Sequence, residues 1–179
     1  MPKYFKPGAM MAFAGAMVAA CGPGAQTAAD KVKRGEYLVA IAACADCHTP
    51  GALLGKPEMD KLYSGGSVGL QIPELGTFFP PNLTPDNDTG LGKWSEEEIV
   101  KAVRTGVRPN GSQIAPVMPV NWYAKLTDED AHAIAAYLKS LAPISNKVLG
   151  PFGPHETPTG PYQPTVFPPQ PATPATPAP

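Results

Sequence analysis

The tightest constraint in this chain is a run of five residues, Cys44-Ala45-Asp46-Cys47-His48. Two residues between the cysteines bring both sulfurs within reach of one ring edge. A histidine directly after the second sulfur then falls beneath a metal at the centre of that ring. C-x-x-C-H is the pattern by which a c-type haem is attached, through thioethers from both thiols and a bond from the imidazole to iron. The same run also fits a fragment of a zinc site or a dithiol redox pair. Zinc needs about four ligands, and beyond the run the chain offers Cys21, His132, His155 and carboxylates at no ligand-like spacing. A redox pair follows a strand in a βαβ unit, whereas this run closes a helical pattern. The reading is one covalent haem c on Cys44 and Cys47 with His48 on the iron, and zinc and dithiol chemistry stand as its rivals.

The chain has three cysteines, so one remains to be explained. Lys3 and Lys6 precede an uncharged stretch of small and apolar residues from Ala9 to Ala20, which reads as the basic and apolar regions of an export signal. A dozen residues are too few for about 30 Å of hydrocarbon. Val18-Ala19-Ala20-Cys21 resembles a bacterial lipobox, in which Cys21 is acylated and becomes the mature N-terminus. Ordinary cleavage after Ala29 is the alternative. Either way the expectation is an exported protein in the periplasm or cell envelope, with residues 1–20 as signal and 21–29 as tether, lipid-anchored on the first reading.

The remainder of the 179 residues suits one folded domain, 30–148, and a tail. A formal net charge of −1 gives no support for nucleic-acid binding. Asp30 through Cys47 reads as a helix with Val32, Gly35, Val39, Ala42 and Ala43 near one face. Glycine in a helix interior costs about 1 kcal/mol relative to alanine, so Gly35 points to close approach of another helix. From Thr49 to Gly92 the density of glycine and proline reads as loop. Leu70, Ile72, Leu75, Phe78 and Phe79 are there to pack on a porphyrin.

Ser95-Glu96-Glu97-Glu98 is a capping box that opens a second helix, ending before Gly106. Lys101, Arg104 and Arg108 beyond it are a solvated face or a contact to propionates or a partner. Thr127-Asp128-Glu129-Asp130 opens a third helix with an apolar stripe, Ala131, Ile134, Ala135, Leu138 and Leu141, which is the candidate to cross the first at Gly35. His132 on it reads as surface or satisfied. From 149 to 179 the chain is rich in proline and reads as a disordered tail.

Four of the six methionines fall in the export segment, leaving Met59 and Met118. A lone methionine is commonly core filler. Pro116 and Pro119 flank Met118, and the restriction on residues before proline holds such a chain extended. That stiffness favours Met118 as the second axial ligand. Met59 follows His48 too soon to loop easily over the porphyrin.

These residues now match a family. The order of helix, C-x-x-C-H, loops, helix, proline-flanked methionine and final helix resembles a class I, mono-haem c-type cytochrome. Pro81-Asn82-Leu83-Thr84-Pro85-Asp86, Thr89-Gly90-Leu91-Gly92 and Trp94-Ser95 narrow the resemblance to the haem domains of cytochrome subunits of periplasmic alcohol, aldehyde, gluconate and sorbitol dehydrogenases. The likeness spans residues 30 to 145. It implies an all-α cytochrome c fold of three or more helices, with long loops wrapped around one covalent haem c. It implies His48 and Met118 as axial ligands, and Asn82, Thr84 and Trp94 near the haem edge. Such subunits usually carry three haem domains, and this chain has one motif.

The function expected is electron transfer rather than catalysis, with a dehydrogenase or terminal oxidase as redox partner and the membrane reached through the lipid on Cys21. A neutral thioether opposite imidazole raises the haem potential. The alternatives are an obligate subunit of a dehydrogenase complex, a haem enzyme or gas sensor with an open iron position, and a structural metal module.

Overall fold

A computed structural model describes residues 27–167, so the export segment and Cys21 lie outside the described residues. Helix α1 (Ala28–Ile41) is opened by a reciprocal cap between Thr27 and Asp30. It packs across α5 (Asp128–Ser140), whose N-cap is Thr127. Between them comes α3 (Glu96–Thr105), with the capping box of Ser95 and Glu98 at its start and Gly106 in left-handed conformation at its end. The apolar faces of these three helices meet in a core of Leu38, Val39, Ile99, Ile134, Ala135 and Leu138, extended by Tyr63 and Leu91 from the loops. No helix among the described residues is long and apolar enough to cross a membrane.

The crossing expected at Gly35 is there. A Cβ on Gly35 would stand 1.9 Å from the Ala133 carbonyl oxygen and 2.7 Å from the Tyr137 Cβ. Only a hydrogen fits, and the two backbones sit closer than any side chain permits. Ion pairs flank the crossing: Arg34 Nε reaches Asp130 at 2.9 Å and Lys31 Nζ reaches Glu96 at 2.7 Å. The Arg34 hydrogen bond holds the Asp130 carboxyl below its ordinary range. Such pairs are partly exposed and each contributes about 1 kcal/mol at most. Packing at the crossing outweighs them.

Several features differ from the sequence expectation. The first helix stops at Ile41, not Cys47: Ala43 turns left-handed at φ 53°, and a separate five-residue helix, α2 (Cys44–His48), begins. A left-handed alanine costs about 1–2 kcal/mol, which periodicity cannot register. The stretch read as loop holds a hairpin, β1 (Gly69–Ile72) against β2 (Gly76–Phe78), paired Leu70 with Phe78 and Ile72 with Gly76. A fourth short helix, α4 (Val120–Tyr123), follows the methionine loop. The architecture is thus several helices with a small sheet rather than purely helical.

The tail departs most. It was expected to be structureless from 149, yet β3 (Tyr162–Gln163) joins β1 in parallel, Gly69 opposite Tyr162, giving the order β2-β1-β3. Phe152 bridges to Thr77 and packs edge-on against Phe79, ring centres 6.0 Å apart. Proline lacks only the donor and confines a strand to an edge. The Pro161 carbonyl still accepts from Gly69 N–H at 2.9 Å. Proline content alone therefore misjudges this segment.

Replacing Gly35 by alanine tests the crossing. Helix propensity favours the change by about 1 kcal/mol, but the clash forces α1 off α5. A net loss of about 1–3 kcal/mol is expected by chemical denaturation followed by helical circular dichroism, and an equal or higher stability would refute the close approach.

Candidate functional site

The left-handed turn at Ala43 re-aims the chain so that α2 leaves α1 with both thiols on one short helical segment. Cys44 and Cys47 are free and half-buried. Burial pushes the Cys44 thiol up to about 11, and Cys47 also rises, mainly for the same reason. Both are therefore neutral thiols in an apolar setting. Cys44 and Ala45 pack against the hydrophobic core, as do the half-buried side chains of Leu62, Leu83, Val100, Val103 and Leu126.

His48 closes α2 and is 4% exposed. Its Nδ1 lies 2.8 Å from the Pro81 carbonyl oxygen. A carbonyl only accepts, so Nδ1 carries the hydrogen and Nε2 is left with its lone pair. Burial lowers the basicity of the ring while the Pro81 bond opposes that effect. A neutral imidazole with one nitrogen tied to a backbone carbonyl is the usual state of a metal-bound histidine.

Two loop segments build the floor beneath the motif. Gly65 N–H donates to the His48 carbonyl at 2.8 Å, Gly66 N–H to Pro80 at 2.9 Å, and Leu83 N–H to Tyr63 at 2.9 Å. Asn82, 1% exposed, then fastens the second segment. Its Nδ2 donates to Thr89 Oγ1 at 3.0 Å and to the Ile144 carbonyl at 2.7 Å. Its Oδ1 accepts from the backbone and hydroxyl of Thr84 at 2.9 and 2.8 Å. Ile144 N–H donates to Thr84 Oγ1 at 3.1 Å. Asn82 and Thr84, placed at a haem edge by resemblance, thus commit their side chains to this network. What they position is the neighbouring Pro81 carbonyl that orients His48. Trp94 is half-buried against the core, and its carbonyl accepts from Lys139 Nζ at 2.9 Å.

Met118 is half-buried, whereas Met59 is 65% exposed. The loop does not hold Met118 extended. Its N–H donates to Ala115 at 3.0 Å and its carbonyl accepts from Val120 at 2.8 Å, a tight turn at the head of α4. Tyr123 on α4 then reaches back: its hydroxyl donates to the Ala42 carbonyl at 3.4 Å. Burial raises that hydroxyl to about 12, with Cys44 and Cys47 as further contributors. The helix after Met118 is thereby docked beside the two thiols. Sequence reasoning missed Tyr123, and nothing but its aromatic character marked it.

The remaining candidates are accounted for elsewhere. His132 Nδ1 lies 2.7 Å from the Asp128 carbonyl, a satisfied helix histidine as anticipated. Arg104 pairs with Asp128, and Arg108 donates to Gln113 and Ser112 within its own loop. Among the described residues no group of three or more His, Cys, Asp or Glu side chains is placed to hold a metal ion, so a zinc module has no ligand set there. Two neutral thiols, a buried imidazole free at Nε2 and an apolar surround fit a covalent haem c.

The sequence model of the cytochrome c family matches residues 32–142, more than half of the chain. This chain belongs to the cytochrome c family. It is similar to the cytochrome c subunit of gluconate 2-dehydrogenase from Pantoea cypripedii, 40% identical over 115 residues, 64% of this chain and 24% of that one. Similarity to the cytochrome c subunit of a quinone-type alcohol dehydrogenase from Gluconobacter oxydans is 37% over 115 residues, 64% of this chain and 22% of the relative. A dihaem c-type cytochrome of Cereibacter sphaeroides is 32% identical over 113 residues, 63% of this chain and 37% of its own length. The cytochrome described here thus spans under a quarter of the two dehydrogenase subunits.

Asn82→Ala should strip two donors and an acceptor from partners that stay buried. Unfolding of the haem-loaded protein in guanidinium is expected to show a loss of about 2–3 kcal/mol, and a loss below about 0.5 kcal/mol would mean the network does not hold the loop.

Proposed function

We propose that this cytochrome carries single electrons on one covalently bound haem c and is not itself an enzyme. The observation that carries the reading is the buried His48 imidazole, tied at Nδ1 to Pro81, one residue beyond two neutral thiols on the same helical segment. Haem c supplies a one-electron iron couple when bound. Cys44 and Cys47 would hold it through thioethers, and His48 Nε2 would ligate the iron. Met118 supplies the other, favoured over Met59 by its partial burial and by the docking of α4 beside the thiols. A neutral thioether opposite imidazole disfavours the ferric charge and raises the potential. With His48 and Met118 both ligating, the iron would offer substrate and dioxygen no vacant coordination site.

The partner we infer is a periplasmic dehydrogenase or a terminal oxidase. Relatives named as cytochrome subunits of alcohol, gluconate and fructose dehydrogenases support the first. Export, and a lipid on Cys21 that confines the carrier to the cell envelope, complete the proposal. They rest on the sequence alone, and acylation of one cysteine by more than one chain is what stable anchoring requires.

Expression in a host that matures c-type cytochromes, followed by intact mass and visible spectroscopy, tests these points together. One haem, a lipid mass on Cys21 and a weak far-red band of sulfur on ferric iron are expected. Met118→Ala should abolish that band, lower the midpoint potential and let carbon monoxide bind the ferrous form, while Met59→Ala changes none of these. A colourless product, or carbon monoxide binding to the unsubstituted protein, would overturn the carrier reading.

A further inference from the structure

The methionine loop is held in an unusual way. Every hydrogen bond described for residues 107–118 stays within residues 105–120: Arg108 N–H to Ser112, Ile114 N–H to Gly106, Met118 N–H to Ala115, and the side chains of Arg108, Ser112 and Asn110 among themselves and to Gln113. Polar bonds therefore hold the loop's internal shape. Its place over the rest of the domain depends on its two ends, at α3 and at α4 with Tyr123 on the Ala42 carbonyl, and between them on packing.

The C-terminal segment faces that loop across a cleft. After α5 the chain crosses the loop floor, with Asn146 donating to Thr89 and Ser64 at 3.0 and 2.9 Å. It then passes over β2. A Cβ on Gly76 would lie 2.0 Å from the Phe152 carbonyl, so the segment is seated directly on the hairpin backbone. It ends as β3 along β1, where Thr165 Oγ1 donates to the Gln71 carbonyl at 2.8 Å. There Gln163, Pro164 and Thr165, with β1 and Pro73 after it, line a cleft of about 360 Å³ that Val117 borders from the methionine loop. Val117 precedes Met118 and is 49% exposed. The cytochrome c family match stops at 142, so this strap lies outside what the family model covers.

We propose that residues 144–167 form a strap that braces the Met118 loop against β1, keeping the methionine on the iron and limiting access of other ligands. The inference rests on Met118 being an axial ligand, as argued above. Without β3, the outer edge of β1 loses its partner and the cleft opposite Val117 loses one wall. Between its ends at α3 and α4, the second held by Tyr123 on the Ala42 carbonyl, nothing polar then ties the loop down, and the fraction of molecules with Met118 displaced rises. A competing ligand reports that fraction directly, because its apparent affinity scales with the population of the open state.

The test compares four haem-loaded proteins: the full chain, a chain ending at Phe167, a chain ending at Gly160, and full-length Thr165→Val. Imidazole is titrated against each ferric form, and the far-red sulfur band is recorded alongside thermal unfolding of the helices. The chain ending at Gly160 should bind imidazole roughly tenfold more tightly and show a weaker band. Thr165→Val, which removes one hydrogen bond, should tighten binding by about fivefold with an unchanged helical unfolding midpoint. The chain ending at Phe167 should match the full chain. Equal imidazole affinity in all four, or an equal gain in the chain ending at Phe167, overturns the strap. If the chain ending at Gly160 does not fold, Thr165→Val decides alone. A full chain with no far-red band brings down the axial assignment of Met118 and the strap with it, whereas a strong band with no change on truncation removes the strap only.

Discussion

The hydrogen bond from His48 Nδ1 to the Pro81 carbonyl is the contact on which the site depends. It does two things at once. It satisfies one nitrogen of an imidazole that is almost fully buried, where an unmet polar atom costs about 1–3 kcal/mol. It also fixes the tautomer, since the carbonyl can only accept, and so leaves the other nitrogen with its lone pair. Everything that holds Pro81 in place therefore acts on the iron-binding nitrogen. The loop floor of residues 63–66 and 80–84 has no regular secondary structure, yet its backbone groups pair with one another and with the motif. Asn82 and Thr84 then anchor it to the segment after α5. No buried side-chain nitrogen or oxygen among the described residues is left without a partner.

This arrangement explains which parts were legible in the sequence. The helix starts were, because Ser95, Glu98 and Thr127 act locally and their caps form as written. Gly35 was legible because a glycine inside a helix carries a cost that needs a tertiary reason, and its neighbour on α5 is that reason. The motif was legible because covalent chemistry imposes its spacing. The break at Ala43 was not, since alanine carries no signal for a left-handed turn. Strands of two to four residues fall below what alternation can reveal. Asn82 was noticed only through resemblance, and its contact with the Ile144 carbonyl, distant in sequence, left no local pattern to read.

Composition misled most at the C-terminus. Proline-rich sequence is disfavoured in a sheet interior because it cannot donate, but an edge strand needs donors from one partner only. Tyr162 and Gln163 are the two residues free of proline between Pro161 and Pro164, and they are the ones that pair with β1. Aromatic contact supplies the rest: Phe152 covers Phe79, a residue that sequence reasoning assigned to porphyrin packing.

Lys139 shows the same logic in reverse, a charge recruited where helices leave backbone unpaired. Its Nζ donates to the carbonyls of Leu91, Gly92 and Trp94 at 3.2, 2.8 and 2.9 Å. These three acceptors lie in the turn that leads into the capping box of α3, and no other backbone donor is described for the Gly92 and Trp94 carbonyls outside α3. Hydrogen bonds from a charged donor contribute about 1.5–3 kcal/mol, more than a surface ion pair such as Arg34 with Asp130. The lysine therefore fixes α3 to α5 independently of the core, and α3 carries at its end the loop that bears Met118. Two lines of polar contact run through the domain, one from the segment after α5 through Asn82 to His48, the other from α5 through Lys139 to α3. Both start from α5, so the helix crossed at Gly35 is the common frame for the two sides of the site.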